Sequence, residues 1–108
     1  MEASQSYKIE KQSSELEVHF VSSNVIQFSD PEAAQALIQD VLEHDDASIE
    51  QVVFNVRELN RVNSAFLGIF VQMSKTLHNL DKSFGVRGAN PAIRKIMELT
   101  KLTPMMLD

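Results

Sequence analysis

Gln51-Val52-Val53-Phe54-Asn55-Val56 is followed, after a polar loop, by Val62-Asn63-Ser64-Ala65-Phe66-Leu67-Gly68. The first run is apolar and β-branched. It reads as a central strand buried on both faces, as in a parallel sheet. The second run opens a helix predicted over 64–80. A strand that ends in a loop and a helix start puts the Ser64 hydroxyl on the surface. There it lies beside backbone N–H groups that have no partner within the helix, where the dipole favours an anion.

Working outward, Ser83-Phe84-Gly85-Val86-Arg87-Gly88 reads as a short strand ending in glycine. Gly85-x-x-Gly88 is too short and too late for a dinucleotide loop, and a tight strand-to-helix turn explains it. Asn90-Pro91 is a cap-plus-proline helix start. Ile93, Ile96, Met97 and Thr100 form the inner face of that helix, and Pro104 is expected to stop it. Met105-Met106-Leu107 reads as a last short strand or a docked tail. On the other side, Asp30-Pro31-Glu32 starts an earlier helix. Its inner face is Ala34, Leu37, Ile38, Val41 and Leu42. The acidic residues Glu43, Asp45, Asp46 and Glu50 after it read as a solvated surface. Tyr7 to Glu10 and Glu15 to Val21 read as two strands, the second alternating with Leu16, Val18 and Phe20 inward. Gln12-Ser13-Ser14 is the turn between them. Residues 1–6 are small and polar and are expected to fray. Strands alternating with helices in this order give an α/β fold, a small mixed sheet of four or five strands with about three helices on one face.

The bulk numbers narrow the function. At 108 residues and 44% apolar content, the chain suits one compact domain, 1–108. A net charge of −5 supplies no dense set of phosphate contacts, so nucleic acid is a poor partner. There is no cysteine, which removes disulfides, thiolate catalysis and thiolate metal sites. The N-terminal residues carry no apolar run of signal-peptide type, and stretches such as Ile69-Phe70-Val71 fall far short of the ~20 residues of a membrane span. A cytoplasmic domain without membrane insertion is expected.

Catalytic constellations are missing from the pattern. His19, His44 and His78 have no carboxylate at ligand spacing and read as structural or solvent-exposed, so no metal is expected. Ser64 has Val62 and Phe66 where a nucleophile elbow requires glycines, and no base is marked for it. No cofactor is expected; nucleotide binding is a further reading, because a helix mouth accepts phosphates in general. Three readings of Ser64 remain: an N-cap, a phosphoacceptor, or a nucleophile. A phosphate would add about −1.5 to −2 charges at the helix mouth.

On a helical wheel, 64–80 carries an apolar arc of roughly 200°, wider than a helix lying on a sheet needs to bury. Leu67, Phe70, Val71, Ser74 and Leu77 make the core stripe. Gln72, Lys75 and Asn79 mark the wet side. Phe66, Ile69, Met73 and Leu80 form the adjoining edge. A deep core could cover the whole arc. Alternatively, the Phe66 edge stays partly exposed and docks a protein.

These residues resemble the STAS domain, the fold of bacterial anti-sigma-factor antagonists. There an apolar strand leads to an Asp-Ser-Ser/Thr-Gly-Leu-Gly segment at a helix start. Asn63-Ser64-Ala65-Phe66-Leu67-Gly68 stands in that place, with Asn63 for the aspartate and Phe66 for a glycine. Gly88-Ala89-Asn90-Pro91-Ala92-Ile93-Arg94-Lys95, closing with Thr100-Lys101-Leu102, resembles the family's last helix. The resemblance is good over 52–102 and holds for 1–50 only in element order and approximate length. It implies a binding protein, not an enzyme. The implied partner is an anti-sigma factor that is also a serine kinase of the histidine-kinase ATPase fold. The unphosphorylated antagonist binds it, phosphorylation of the serine matching Ser64 releases it, and a phosphatase resets the cycle. The expected contact comprises Asn63, Ser64, Phe66, Ile69 and Met73. The alternative is a non-switching accessory subunit of a lipid-transporting ABC system, or a regulator of a non-sigma partner.

Overall fold

The computed structural model describes residues 7–21 and 26–107; the fraying expected of 1–6 lies outside them. The elements are β1 (Tyr7–Gln12), β2 (Glu15–Phe20), a 3-10 turn (Ile26–Ser29), α1 (Pro31–Glu43), β3 (Gln51–Asn55), α2 (Ser64–Asn79), β4 (Ser83–Arg87), α3 (Pro91–Leu99) and a second 3-10 turn (Thr103–Met105). The strands lie in the order β1-β2-β3-β4, the first pair antiparallel and the others parallel. Each new strand is added on the same side of the last. Two crossovers of one hand, progressing in one direction, put α1 and α2 on one face of the sheet. The expected mixed sheet with helices on one face is present.

Alternation explains the strands. In β2, Leu16, Val18 and Phe20 are buried while Glu15, Glu17 and His19 are only partly so. Ser13, at φ 51°, makes the two-residue turn that joins β1 to β2, so β1 runs on to Gln12. β3 is buried on both faces: Val52 and Phe54 join the core under the helices, whereas Val53 is buried outside that cluster on the other face. Arg87 of β4 reaches Glu15 (3.0 Å) and Glu17 (3.7 Å) of β2, and so passes over Val53 on β3 between them. Asn55 adds a bond to Glu17 at 2.8 Å.

Several sequence expectations need correcting. In α1, Leu37, Ile38 and Val41 are buried, but Ala34 and Leu42 only partly. The acidic stretch is not wholly solvated. Asp45, 13% exposed, holds Lys82 at 2.5 Å, and Asp46 bonds Lys11 and Ser48. The Lys11 bond first, then Ser48, holds the Asp46 carboxyl well below the usual carboxylate range. These pairs tie the α1–β3 connection to the start of β4 and the end of β1. α3 ends at Leu99, before Pro104. Lys101 takes φ 63° and the Leu102 N–H bonds the Met97 carbonyl (2.7 Å), a Schellman-type close. Thr100 is exposed, not inward, and its hydroxyl bonds the Ile96 carbonyl at 2.8 Å. Beyond it, Met106 forms one parallel bridge to Val86, and the Leu107 N–H bonds the Val86 carbonyl. The Leu107 side chain covers Gly85, where a Cβ would lie 2.5 Å from it. Gly88, at φ 81°, makes the strand-to-helix turn.

Candidate functional site

The mouth of α2 is built by a division of tasks between two neighbours. Asn63, in extended conformation, is the N-cap: its Oδ1 accepts from the Phe66 N–H at 2.9 Å, and its carbonyl accepts the first helical bond from Leu67 at 3.1 Å. Its Nδ2 donates to Ser29 Oγ at 3.1 Å, anchoring the cap to the turn before α1. Ser64 is therefore the first helical residue and not the cap, which removes the plainest reading of that serine. Its side chain is exposed, and no described residue bonds it. The N–H groups of Ser64 and Ala65 likewise have no partner among the described residues, as expected of a first turn. The loop from β3 carries Arg57 and Arg61, both exposed. On the far side Asn90 donates to the Leu59 (3.1 Å) and Asn60 (3.0 Å) carbonyls, pinning that loop to the start of α3.

Of the edge expected at Phe66, Ile69, Met73 and Leu80, only Leu80 is exposed, at 48%; Phe66, Ile69 and Met73 are buried. The three are 0%, 3% and 0% exposed. Phe66 is the hub of an aromatic cluster, with ring centres 5.1 Å from Phe20, 5.7 Å from Phe28 and 5.1 Å from Phe70. The extra cover comes from the turn Ile26–Ser29, whose Phe28 is 4% exposed. The wide arc is thus filled from a third side, which a helix-on-sheet wheel leaves out. The core stripe shifts accordingly: Val71 is 39% exposed and Ser74 only half-buried.

Over its first three turns α2 leaves bare the strip Ser64, Gly68, Val71, Gln72 and Lys75, with His78 and Asn79 exposed at its end. Gly68 is the unexpected member. It is exposed within a helix, and a Cβ added there would meet nothing within 4 Å. The packing does not require a glycine, which costs about 1 kcal/mol against alanine in a helix. The signal was readable in the sequence, because Gly68 follows Ser64 by one turn and precedes the wet-side residue Gln72 by another.

The histidines are dispersed. His19 is on β2, His44 caps α1 with Nδ1 2.8 Å from the Asp40 carbonyl, and His78 is exposed near the end of α2. Among the described residues no group of His, Asp and Glu could hold a metal ion, and no helix is long and apolar enough to cross a membrane.

No curated protein is a significant match to this sequence. Solved structures share its fold. The unphosphorylated anti-sigma factor antagonist SpoIIAA superposes with a TM-score of 0.73 at 12% identity, covering 94% of this chain and 86% of the other. The Bacillus cell fate determinant SpoIIAA in its phosphorylated form gives 0.66 at 16% identity, covering 94% and 89%. An anti-sigma factor antagonist from Mycobacterium paratuberculosis gives 0.73 at 23% identity, covering 94% and 81%. A family model described as "Mlab, STAS domain" matches residues 12–107. With that match over most of its length, the chain belongs to the STAS domain family.

Proposed function

We propose that this chain is a non-enzymatic, protein-binding regulator whose contact with its partner is controlled by phosphorylation of Ser64. One observation carries the reading: the Ser64 hydroxyl is exposed at the first turn of α2 while Asn63 does the capping. A phosphate there would meet the N–H groups of Ser64 and Ala65, which no described residue bonds, and the favourable end of the helix dipole. The modified state would therefore be tolerated by the fold. It would be read by whatever sits on the adjoining strip of Gly68, Val71 and Gln72. The exposed backbone at Gly68 lets a partner approach closely, and a doubly charged group beside it would repel an acidic or apolar partner surface. Similarity to an antagonist whose structure is known in unphosphorylated and phosphorylated forms supports this reading. The partner would be an anti-sigma factor with serine kinase activity, reset by a phosphatase.

The test compares Ser64→Ala with Ser64→Asp in partner recovery from the native host. It is combined with mass spectrometry of Ser64 in cells. Recovery with alanine, loss with aspartate and phosphate on Ser64 would support the switch. Equal recovery by both variants with no phosphate on Ser64 would overturn it, and recovery of a membrane ATPase as the partner would favour the constitutive accessory subunit.

A further inference from the structure

β1 is an edge of the sheet, with β2 on one side and no described residue paired on the other. The direction of its backbone groups follows from parity. The Ser14 carbonyl accepts from the Gln51 N–H at 3.3 Å, so even-numbered residues along β2 bond towards β3. Odd-numbered Glu15, Glu17 and His19 then bond towards β1, where they face Gln12, Glu10 and Lys8. Tyr7, Ile9 and Lys11 are left with N–H and C=O directed outward.

The side chains carry the second observation. Lys8 and Glu10 project from the face opposite the helices, and neither makes an ion pair among the described residues. Glu10 lies directly across from Glu17, a like-charge pairing that disfavours the hairpin. Charged edge residues commonly repel a second strand. Here they do so only in some registers. A two-fold antiparallel pairing centred on Lys8 sets that lysine against itself, and one centred on Glu10 sets glutamate against glutamate. The register centred on Ile9 sets Lys8 against the partner's Glu10 and Glu10 against the partner's Lys8.

We propose that β1 pairs with β1 of a second copy of this chain, antiparallel about a two-fold axis through Ile9. In this register the outward groups of Tyr7, Ile9 and Lys11 meet those of the partner's Lys11, Ile9 and Tyr7, giving about six main-chain hydrogen bonds. Ile9 packs on its own counterpart beneath the crossed charge pairs. The two sheets become one sheet of eight strands. Ser64 follows β3, two strands in from this edge, so the pairing does not depend on the reading given to that serine. One strand pair is a small interface, and the association is accordingly weak and concentration-dependent.

Sedimentation velocity at low ionic strength, from about 10 μM to about 1 mM, tests this on four proteins: the unaltered chain, Lys8→Glu, Glu10→Lys, and the double swap. The unaltered chain is expected to shift from monomer to dimer. Each single reversal should weaken the association about tenfold or more, and the swap should restore it. Glu10→Lys also relieves the clash with Glu17, so its Tm should not fall. Loss of dimer without loss of Tm separates the edge from the fold. A chain that stays monomeric throughout, single reversals that associate like the parent, or a swap that fails to restore dimer would each overturn the proposal.

Discussion

At the mouth of α2, the Asn63 side chain satisfies the Phe66 N–H and holds Ser29, whereas the Ser64 side chain has no partner among the described residues. Two adjacent polar residues should therefore respond differently to the same truncation. Asn63→Ala should lower stability by about 1 kcal/mol, the usual worth of an N-cap, and Ser64→Ala should change it by a few tenths at most. Urea unfolding of both variants measures the contrast. Gly68 makes the opposite case. Gly68→Ala meets open space and gains helix propensity, so it should raise stability by about 1 kcal/mol. If a partner uses the bare backbone there, the same change should weaken partner binding. Higher stability with unchanged binding in a titration would mean that the partner does not touch Gly68.

At the scale of elements, β1 is fastened to α1 through Tyr7, whose hydroxyl donates to Asp40 at 2.8 Å. Burial first, then the Asp40 hydrogen bond and charge, push the phenol well above its ordinary value of 10.0. The folded chain keeps this proton where the unfolded chain has lost it. The tie is thus fully present below pH 10 and weakens as pH rises above it. Tyr7→Phe should cost about 1 kcal/mol at pH 7, a modest figure because the site is partly screened by solvent. The gap between parent and variant should close above pH 10 in thermal melts. The other elements show which boundaries a sequence marks. Asp30-Pro31 and Asn90-Pro91 do cap α1 and α3, with the side chains bonding the Glu32 (3.4 Å) and Ile93 (2.9 Å) N–H groups. The end of α3 was less visible. Lys101 in a left-handed conformation closes it, and lysine carries none of the turn signal that glycine would.

For the whole molecule, the sequence of strands and helices along the chain was legible because each element carries its own period. Alternation in 15–20, an apolar run at 51–56 and helical spacing in 31–43 and 91–99 leave little choice of order. The position of Ser64 was legible for the same reason, since a strand must be followed by a surface loop before its crossover helix. The docking edge was not legible. Whether Phe66, Ile69 and Met73 are covered depends on Phe28, a residue 38 positions before Phe66 in a segment with no period of its own. Wheel arguments count the neighbours a helix has on its sheet and miss a connector that folds over its flank. The same limit applies to Leu107, which fills the space over Gly85 from the far end of the chain.

The separation of cap from hydroxyl at Asn63 and Ser64 bears on how information could be stored here. Where one side chain both starts a helix and receives a modification, every change of signal also alters the helix start. On the proposed reading the two jobs would sit on neighbouring residues, so a charge written on Ser64 would leave the Asn63 cap of α2 in place. The marked and unmarked forms would share one backbone and nearly one stability. Such a device would work as a label read by others, not as a lever that moves its own fold.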